Sequence, residues 1–268
     1  MDFRRIEIIF LVVFVSLDVF LLLSFRSSQH FFNSGSTVTS TSVEMKKRNI
    51  STGKLDSDQQ YGYYLGAKPS GVLGQNYNKL KNQSVTYIAN DDKISSNLIS
   101  TLNVNGKKKV SVIDNFMKKD SNILFGEKYT YSPQLSSSTK IVYAQNVSSG
   151  AIFDKTAQLV FTVSGDKIVS YTQTYIPSAS VLHEKSVLKS EKDVVDNLYT
   201  NSEIPNNSKI TYINLAYTKL LEANDNTIYI PVWFVTIKNT DNDISSTKQV
   251  NAFTGAIIKD DSSSIGDN

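Results

Sequence analysis

Cysteine is absent from this 268-residue chain, and histidine (2), tryptophan (1) and proline (5) are scarce. Without cysteine there is no disulfide, no thiolate metal site and no cysteine nucleophile, which suits an exported domain that folds unaided by cross-links. His30 and His183 stand far apart with no motif partner, so they set out no metal-binding spacing. A formal net charge of +3 is too weak to draw nucleic acid. Few prolines beside 14 tyrosines and 13 phenylalanines describe a folded, β-rich domain rather than a disordered stalk.

Catalytic patterns are missing as well. There is no G-x-S-x-G, no S-x-x-K with its companion motifs and no glycine loop to cradle a phosphate. Asp91-Asp92 and Asp260-Asp261 are sequential neighbours, not the facing carboxylates that glycoside hydrolysis requires. Asn239-Thr-Asp241-Asn-Asp243 opens like a calcium loop, but Ile244 stands where the turn glycine belongs and Val250 where the bidentate glutamate belongs. A polar hairpin loop accounts for it. The residues point to no enzyme, no metal and no cofactor.

What the chain does have is one long apolar run, Ile6–Phe25, interrupted only by Glu7, Ser16, Asp18 and Ser24. As a helix it covers about 30 Å, the thickness of a bilayer's hydrocarbon core. A cleaved signal peptide is the alternative, but the run exceeds the usual ~7–15 apolar residues and no small-x-small site follows Phe25. An uncleaved signal anchor is the expectation, with Phe31-Phe32 as an interfacial aromatic pair. Arg4 and Arg5 precede the span and only Arg26 follows closely, which orients the N-terminus to the cytoplasm and the rest outside. Asp18 at mid-membrane depth costs about 2.5–3.5 kcal/mol on insertion scales and normally faces a partner or a cavity. Glu7 lies eleven residues earlier, and eleven steps of about 100° return nearly to the same face, with Phe14 between. Either Asp18 is protonated and idle with Glu7 at the headgroups, or Glu7, Phe14 and Asp18 form a contact with another membrane protein's helix.

The expected organisation is α+β. A cytoplasmic tail (1–5) and the span (6–25) lead to a spacer (26–60), in which Thr41-Ser42-Val43-Glu44 matches a capping box for a short helix. Two extracellular helix-plus-antiparallel-sheet units follow, 61–178 and 179–268. In the first, Tyr61–Leu65 and Val85–Ile88 read as strands, Lys107–Lys119 as a helix with Val112, Phe116 and Met117 inward, and Lys140–Val147 as a strand. Gln158–Val163 and Lys167–Tyr175 form a hairpin about Gly165, with Val169, Tyr171 and Tyr175 on one face. In the second, Ser190–Asp193 caps a helix running to Thr200 with Val194, Val195, Leu198 and Tyr199 buried. Strands at Lys209–Tyr217, Thr227–Lys238 and Lys248–Lys259 follow, with Asn224–Asn226 as a connecting turn. Val232–Val235 is a continuous apolar run, so its strand is buried on both faces and Trp233 is core. Pro231 cannot donate to a ladder, and Thr254-Gly255 makes a tight turn.

Several of these residues carry a family likeness. Met1-Asp2-Phe3, Ile9–Phe14 and Leu17-Asp18-Val19-Phe20-Leu21-Leu22 resemble the start of YycI proteins, the single-pass partners of YycH in Gram-positive bacteria. Ile230–Val235 with Val250–Ile257 resembles that family's closing hairpin and PepSY-like modules more generally. The resemblance implies a non-catalytic regulator at the cell membrane. Its implied partners are a YycH-like protein and the sensor histidine kinase WalK (YycG), which signals to WalR and so controls cell-wall metabolism. It also matches Asp18 to the acidic position of the family's membrane motif. The alternative is a tethered PepSY-like module that restrains a peptidase or grips a wall polymer.

Overall fold

Among the described residues, sixteen strands and five α-helices follow from this pattern of alternating aromatics and polar turns. The computed structural model describes residues 3–30, 38–68, 70–104, 106, 109–223 and 226–259, with side chains from residue 7 onward except 9 and 23–40. Phe31-Phe32, Lys107-Lys108, Asn224-Asp225 and Asp260-Asp261 lie outside the described residues. The chain divides into two compact units, Met1–Asn49 and Ile50–Asn268.

The first unit is helical. α1 (Phe3–His30) takes in the whole apolar run, and its described side chains from Phe10 to Leu22 are all exposed. Among the described residues, no helix is long and apolar enough to cross a membrane. α2 (Val38–Lys47) starts earlier than the capping-box pattern suggests, so Thr41 lies inside it instead of at its cap. Asn49, at φ 60°, ends it with the left-handed turn that asparagine tolerates.

In the second unit, β1 (Ile50–Ser51), β2 (Tyr61–Gly62) and β3 (Leu65–Ala67) come first. α3 (Val72–Asn76), β4 (Gln83–Ile88), β5 (Lys93–Asn103) and α4 (Lys109–Met117) follow, then β6 (Tyr129–Tyr131), β7 (Lys140–Val147) and β8 (Gly150–Ile152). The hairpin β9 (Gln158–Ser164) and β10 (Lys167–Thr174) leads through β11 (Ser180–Val181) and β12 (Ser186–Val187) to α5 (Glu191–Thr200). The chain closes with β13 (Ser208–Ala223), β14 (Asn226–Asn239), β15 (Ser245–Asn251) and β16 (Ile257–Ile258). Among the described residues fourteen strands form one sheet, and β2 and β12 pair separately.

That continuity departs from the expected division at 178/179. β3 pairs with β14 and β1 with β13, so residues from the expected spacer and from the start of the expected first unit are built into the same sheet as the second. Tyr61–Leu65 is correspondingly two strands, because its ends serve different partners: β2 joins β12 and β3 joins β14. The two halves meet at β7. Gln145 pairs with Tyr129 of β6 and with Ile152 of β8, while Ala144 pairs with Thr130 of β6 and Gln158 of β9. A residue with two ladder partners holds them at opposite edges, so β8 and β9 share one edge of β7. The residues between them, Phe153–Ala157, leave the ladder and the sheet forks: β9 leads on to β10, β5 and β4, and β8 leads to β13 and β14. Gln145 braces the fork, its amide donating to Ile176 O and accepting from Ile176 N at 2.8 Å.

α4 and α5 lie on one side of this sheet. Tyr143 sits under α4 and donates to Asp114 Oδ1 at 2.8 Å. Two residues on, Gln145 faces the same side as its neighbours Ile152, Tyr217 and Pro231 in successive strands. Trp233, two residues beyond Pro231, meets the residue just before the cap of α5. Under α4 the core holds Ile113, Met117, Tyr143, Phe161 and Tyr171, with Val112 and Phe116 only partly buried. A bulge at Val169 shifts the hairpin's phase, so the inward residues are Ile168 and Tyr171 and not the expected Val169 and Tyr171.

Candidate interaction surfaces

α1 carries the first expected set. Glu7, Phe14 and Asp18 lie on a continuous helix, and steps of about 100° bring all three within roughly 40° of one stripe about 16 Å long. Both acids are exposed and Phe14 is 59% exposed, so the stripe is open to a neighbour.

The C-terminal set is closed. Trp233 is buried on β14 and its indole Nε1 donates to Lys189 O at 2.9 Å. Lys189 N in turn donates to Ala252 O at 2.7 Å, so one residue's backbone is clamped between the tryptophan and the end of β15. Ser190 then caps α5 through a complete capping box with Asp193, and Val194, Val195 and Leu198 are buried. Pro231 accepts from Ala252 N, so its carbonyl and its missing donor face the edge of β14 away from β13. On that edge β3 pairs only as far as Tyr229 and β15 starts at Val232, which leaves Pro231 opposite a gap in both ladders. Gly255 takes φ 79°, and the turn before it is held by Asn251, whose side-chain oxygen accepts from Phe253 N and Thr254 N. Asn197 of α5 donates to Gly255 O. A Cβ at Gly255 would lie 3.3 Å from the Asn197 amide nitrogen.

These polar groups are engaged with backbone, which locks the hairpin to α5. Burial pushes Tyr143 and Tyr171 well above the ordinary tyrosine range, with the Asp114 carboxylate adding to the effect at Tyr143. Tyr229 is pushed up to about 12 by burial. All stay neutral at physiological pH. His183 lies on the exposed loop between β11 and β12, and the side chain of His30 is outside the described residues. In the polar loop after β14, Asp241 accepts from Asn207 and Asp243 pairs with Lys238 at 2.8 Å, which holds the Asp243 carboxyl below its ordinary range. Lys189 and Asn197 were not foreseen. Lys189 meets Trp233 44 residues on and Asn197 meets Gly255 58 residues on, and no local spacing announces these pairs.

The YycI protein family model matches residues 29–253, most of the chain, and the chain belongs to that family. It is a family of regulatory proteins associated with the WalK (YycG) two-component system. No curated protein matches the chain. Among solved structures, an uncharacterized protein from Eubacterium rectale ATCC 33656 is similar at 11% identity, covering 79% of this chain and 91% of its own, with a TM-score of 0.42. The Bacillus megaterium YpeB C-terminal domain is similar at 8% identity, covering 83% and 95%, with a TM-score of 0.35.

Proposed function

We propose that this chain is a single-pass membrane protein, N-terminus in the cytoplasm, whose exterior unit and anchor helix together bind and modulate a WalK-like sensor kinase alongside a YycH-like protein. Family membership supplies the signalling system. The observation that carries the rest is α1: a helix of 28 residues with an exposed apolar surface and an acid–aromatic–acid stripe. A single helix has no cavity of its own, so an acid within the bilayer needs another helix beside it. Anchoring both partners in one membrane raises their effective concentration, and modest contacts then suffice to bias a kinase by the ~1–3 kcal/mol typical of coupling between sites. No step in this role calls for catalysis.

Co-purification from detergent tests it. The full chain should recover the kinase, and Asp18→Leu, which leaves the span more apolar, should lower that recovery several-fold. Unchanged recovery with Asp18→Leu removes the helix contact from the proposal. Exchanging Ile6–Phe25 for an unrelated span separates a working helix from a mere tether: full kinase regulation after the exchange favours the PepSY-like module held near the wall.

A further inference from the structure

The large sheet ends on β4, which pairs with β5 along one edge and, among the described residues, with nothing along the other. Ile99 N donates to Asn82 O, and the register alternates from there. Ser84, Thr86 and Ile88 therefore turn their backbone groups toward β5, while the N–H and C=O of Gln83, Val85 and Tyr87 point outward from the edge. Among the described residues these outward groups have no hydrogen-bond partner.

A free edge invites another strand, and proteins guard such edges with charge, proline or brevity. This fold does so elsewhere. β1, β11 and β16 have two residues each, β6 stops two residues short of Pro133, and Pro231 stands at the gap beside β14. β4 has none of these guards: Gln-Ser-Val-Thr-Tyr-Ile is six residues long, uncharged, free of proline and rich in strand formers. It is also held in place. The Gln83 amide donates to Asn122 O at 2.9 Å and accepts from the Ser96 hydroxyl at 2.6 Å. Tyr87 donates to Asp92 Oδ1 at 3.0 Å and stacks on Tyr77 with centroids 6.0 Å apart. An edge already ordered loses little freedom when a strand joins it.

We infer that β4 is a seam between two copies of this chain, paired antiparallel about a twofold axis at Val85. In that register Val85 exchanges N–H···O bonds with its own copy and Gln83 exchanges them with Tyr87 of the other chain, so every outward group is satisfied. On the outer face, exposed Ser84 comes to lie opposite exposed Thr86. No charge within the strand opposes its copy. The flanks point to the same partner. Exposed Lys79 and Lys81 precede β4, and Asp91, exposed although paired with Lys93, follows it. Antiparallel pairing sets the basic flank of one copy beside the acidic flank of the other, and a strand from an unrelated protein has no such reciprocity. Six residues make a small seam beside the ~1,200–2,000 Å² of standard interfaces, so its affinity is modest and shows at high protein concentration. The inference goes beyond kinase regulation and stands without it.

Because the chain has no cysteine, a single introduced thiol reports the seam alone. Val85→Cys sets two thiols at the axis on Cα atoms about 5.5 Å apart, within the reach of a disulfide. In the full chain at ~1 mM in detergent micelles, copper-phenanthroline oxidation should cross-link most of the Val85→Cys protein. Ile99→Cys, 75% exposed on β5 but far from the axis, should cross-link several-fold less. Ser84→Cys chains mixed with Thr86→Cys chains should join to each other in preference to themselves. Added to Val85→Cys, Ser84→Lys with Thr86→Lys sets lysine opposite lysine and should cut the yield several-fold with circular dichroism unchanged, whereas Ser84→Lys with Thr86→Glu should restore it. A Val85→Cys yield no higher than that of Ile99→Cys, or one untouched by the lysine pair, overturns the inference. So does cross-linking of Val85→Cys in cells to a different protein and not to its copy, which assigns the edge to a foreign strand.

Discussion

Two stretches of nearly the same composition meet opposite fates in this molecule. Phe10-Leu-Val-Val-Phe-Val15 lies on α1 with every side chain 54–64% exposed, whereas Ile230-Pro-Val-Trp-Phe-Val235 lies on β14 with Pro231 buried and the other five side chains 0–4% exposed. The residues cannot account for the difference, since both runs are apolar on all sides. Their neighbours do. β14 has β13 along one edge and β3 and β15 along the other, with Phe234, Val232 and Ile230 in one core and Trp233 clamped on the opposite face. Among the described residues, the run on α1 has no such cover. Leaving a large apolar side chain in water forgoes about 1.5–3 kcal/mol each, so a row of them calls for an apolar surrounding from outside. On the proposed reading that surrounding is a bilayer and a partner's helix.

The contrast breaks most visibly if α1 is removed. Deleting Met1–Phe25 should move the protein wholly from the membrane pellet to the soluble fraction on ultracentrifugation, with far-UV circular dichroism of the exterior unit unchanged. A full chain recovered in the soluble fraction would end the comparison, because the exposed run would then be tolerated in water.

The covered run is tested by Trp233→Ala, for which we expect a loss of about 3–5 kcal/mol in urea unfolding followed by circular dichroism. Removing the indole opens a cavity under α5 and also removes the hydrogen bond it donates to Lys189 O. A loss below about 1 kcal/mol would mean that the clamp between β14 and the start of α5 contributes little.

Legibility in the sequence follows the same contrast between local and distant cause. The cap of α5 was readable because Ser190 and Asp193 satisfy each other three residues apart, and Lys140–Val147 was readable from its own apolar content. β5 was not anticipated: KISSNLISTLN is half serine and asparagine, and it is a strand because β4 and β10 lie on either side. The pairing across the expected division at 178/179 is hidden for a related reason, since nothing in Leu65–Ala67 reveals that its partner is β14, some 160 residues on. The stripe of Glu7, Phe14 and Asp18 needs only helical arithmetic.

A smaller effect sharpens the covered side. α5 ends in a left-handed residue, Ser202 at φ 60°, with Ser202 N donating to Tyr199 O at 3.0 Å and Glu203 N to Leu198 O at 2.9 Å. That pattern favours glycine, which meets no Cβ penalty there. Ser202→Gly should gain up to about 1 kcal/mol, the relief being partly offset by the greater freedom of glycine in the unfolded chain. It should do so without disturbing the Glu203–Lys248 ion pair at 2.7 Å that follows. A loss of stability would show that the serine's own side chain matters at the helix end.

The smallest expected effect on stability falls on the exposed run. Phe14→Ala should leave the urea unfolding of the exterior unit within about 0.5 kcal/mol of the parent, since Phe14 is 59% exposed and buries little within the chain. The same substitution should lower kinase recovery from detergent, because an aromatic between two acids is where a neighbouring helix would gain most packing. Trp233→Ala predicts the reverse pattern, a large loss of stability with no specific loss of a helix contact. A Phe14→Ala protein that unfolds early yet holds its kinase would invert the assignment of the two runs, making the N-terminal one a core element and the anchor contact superfluous.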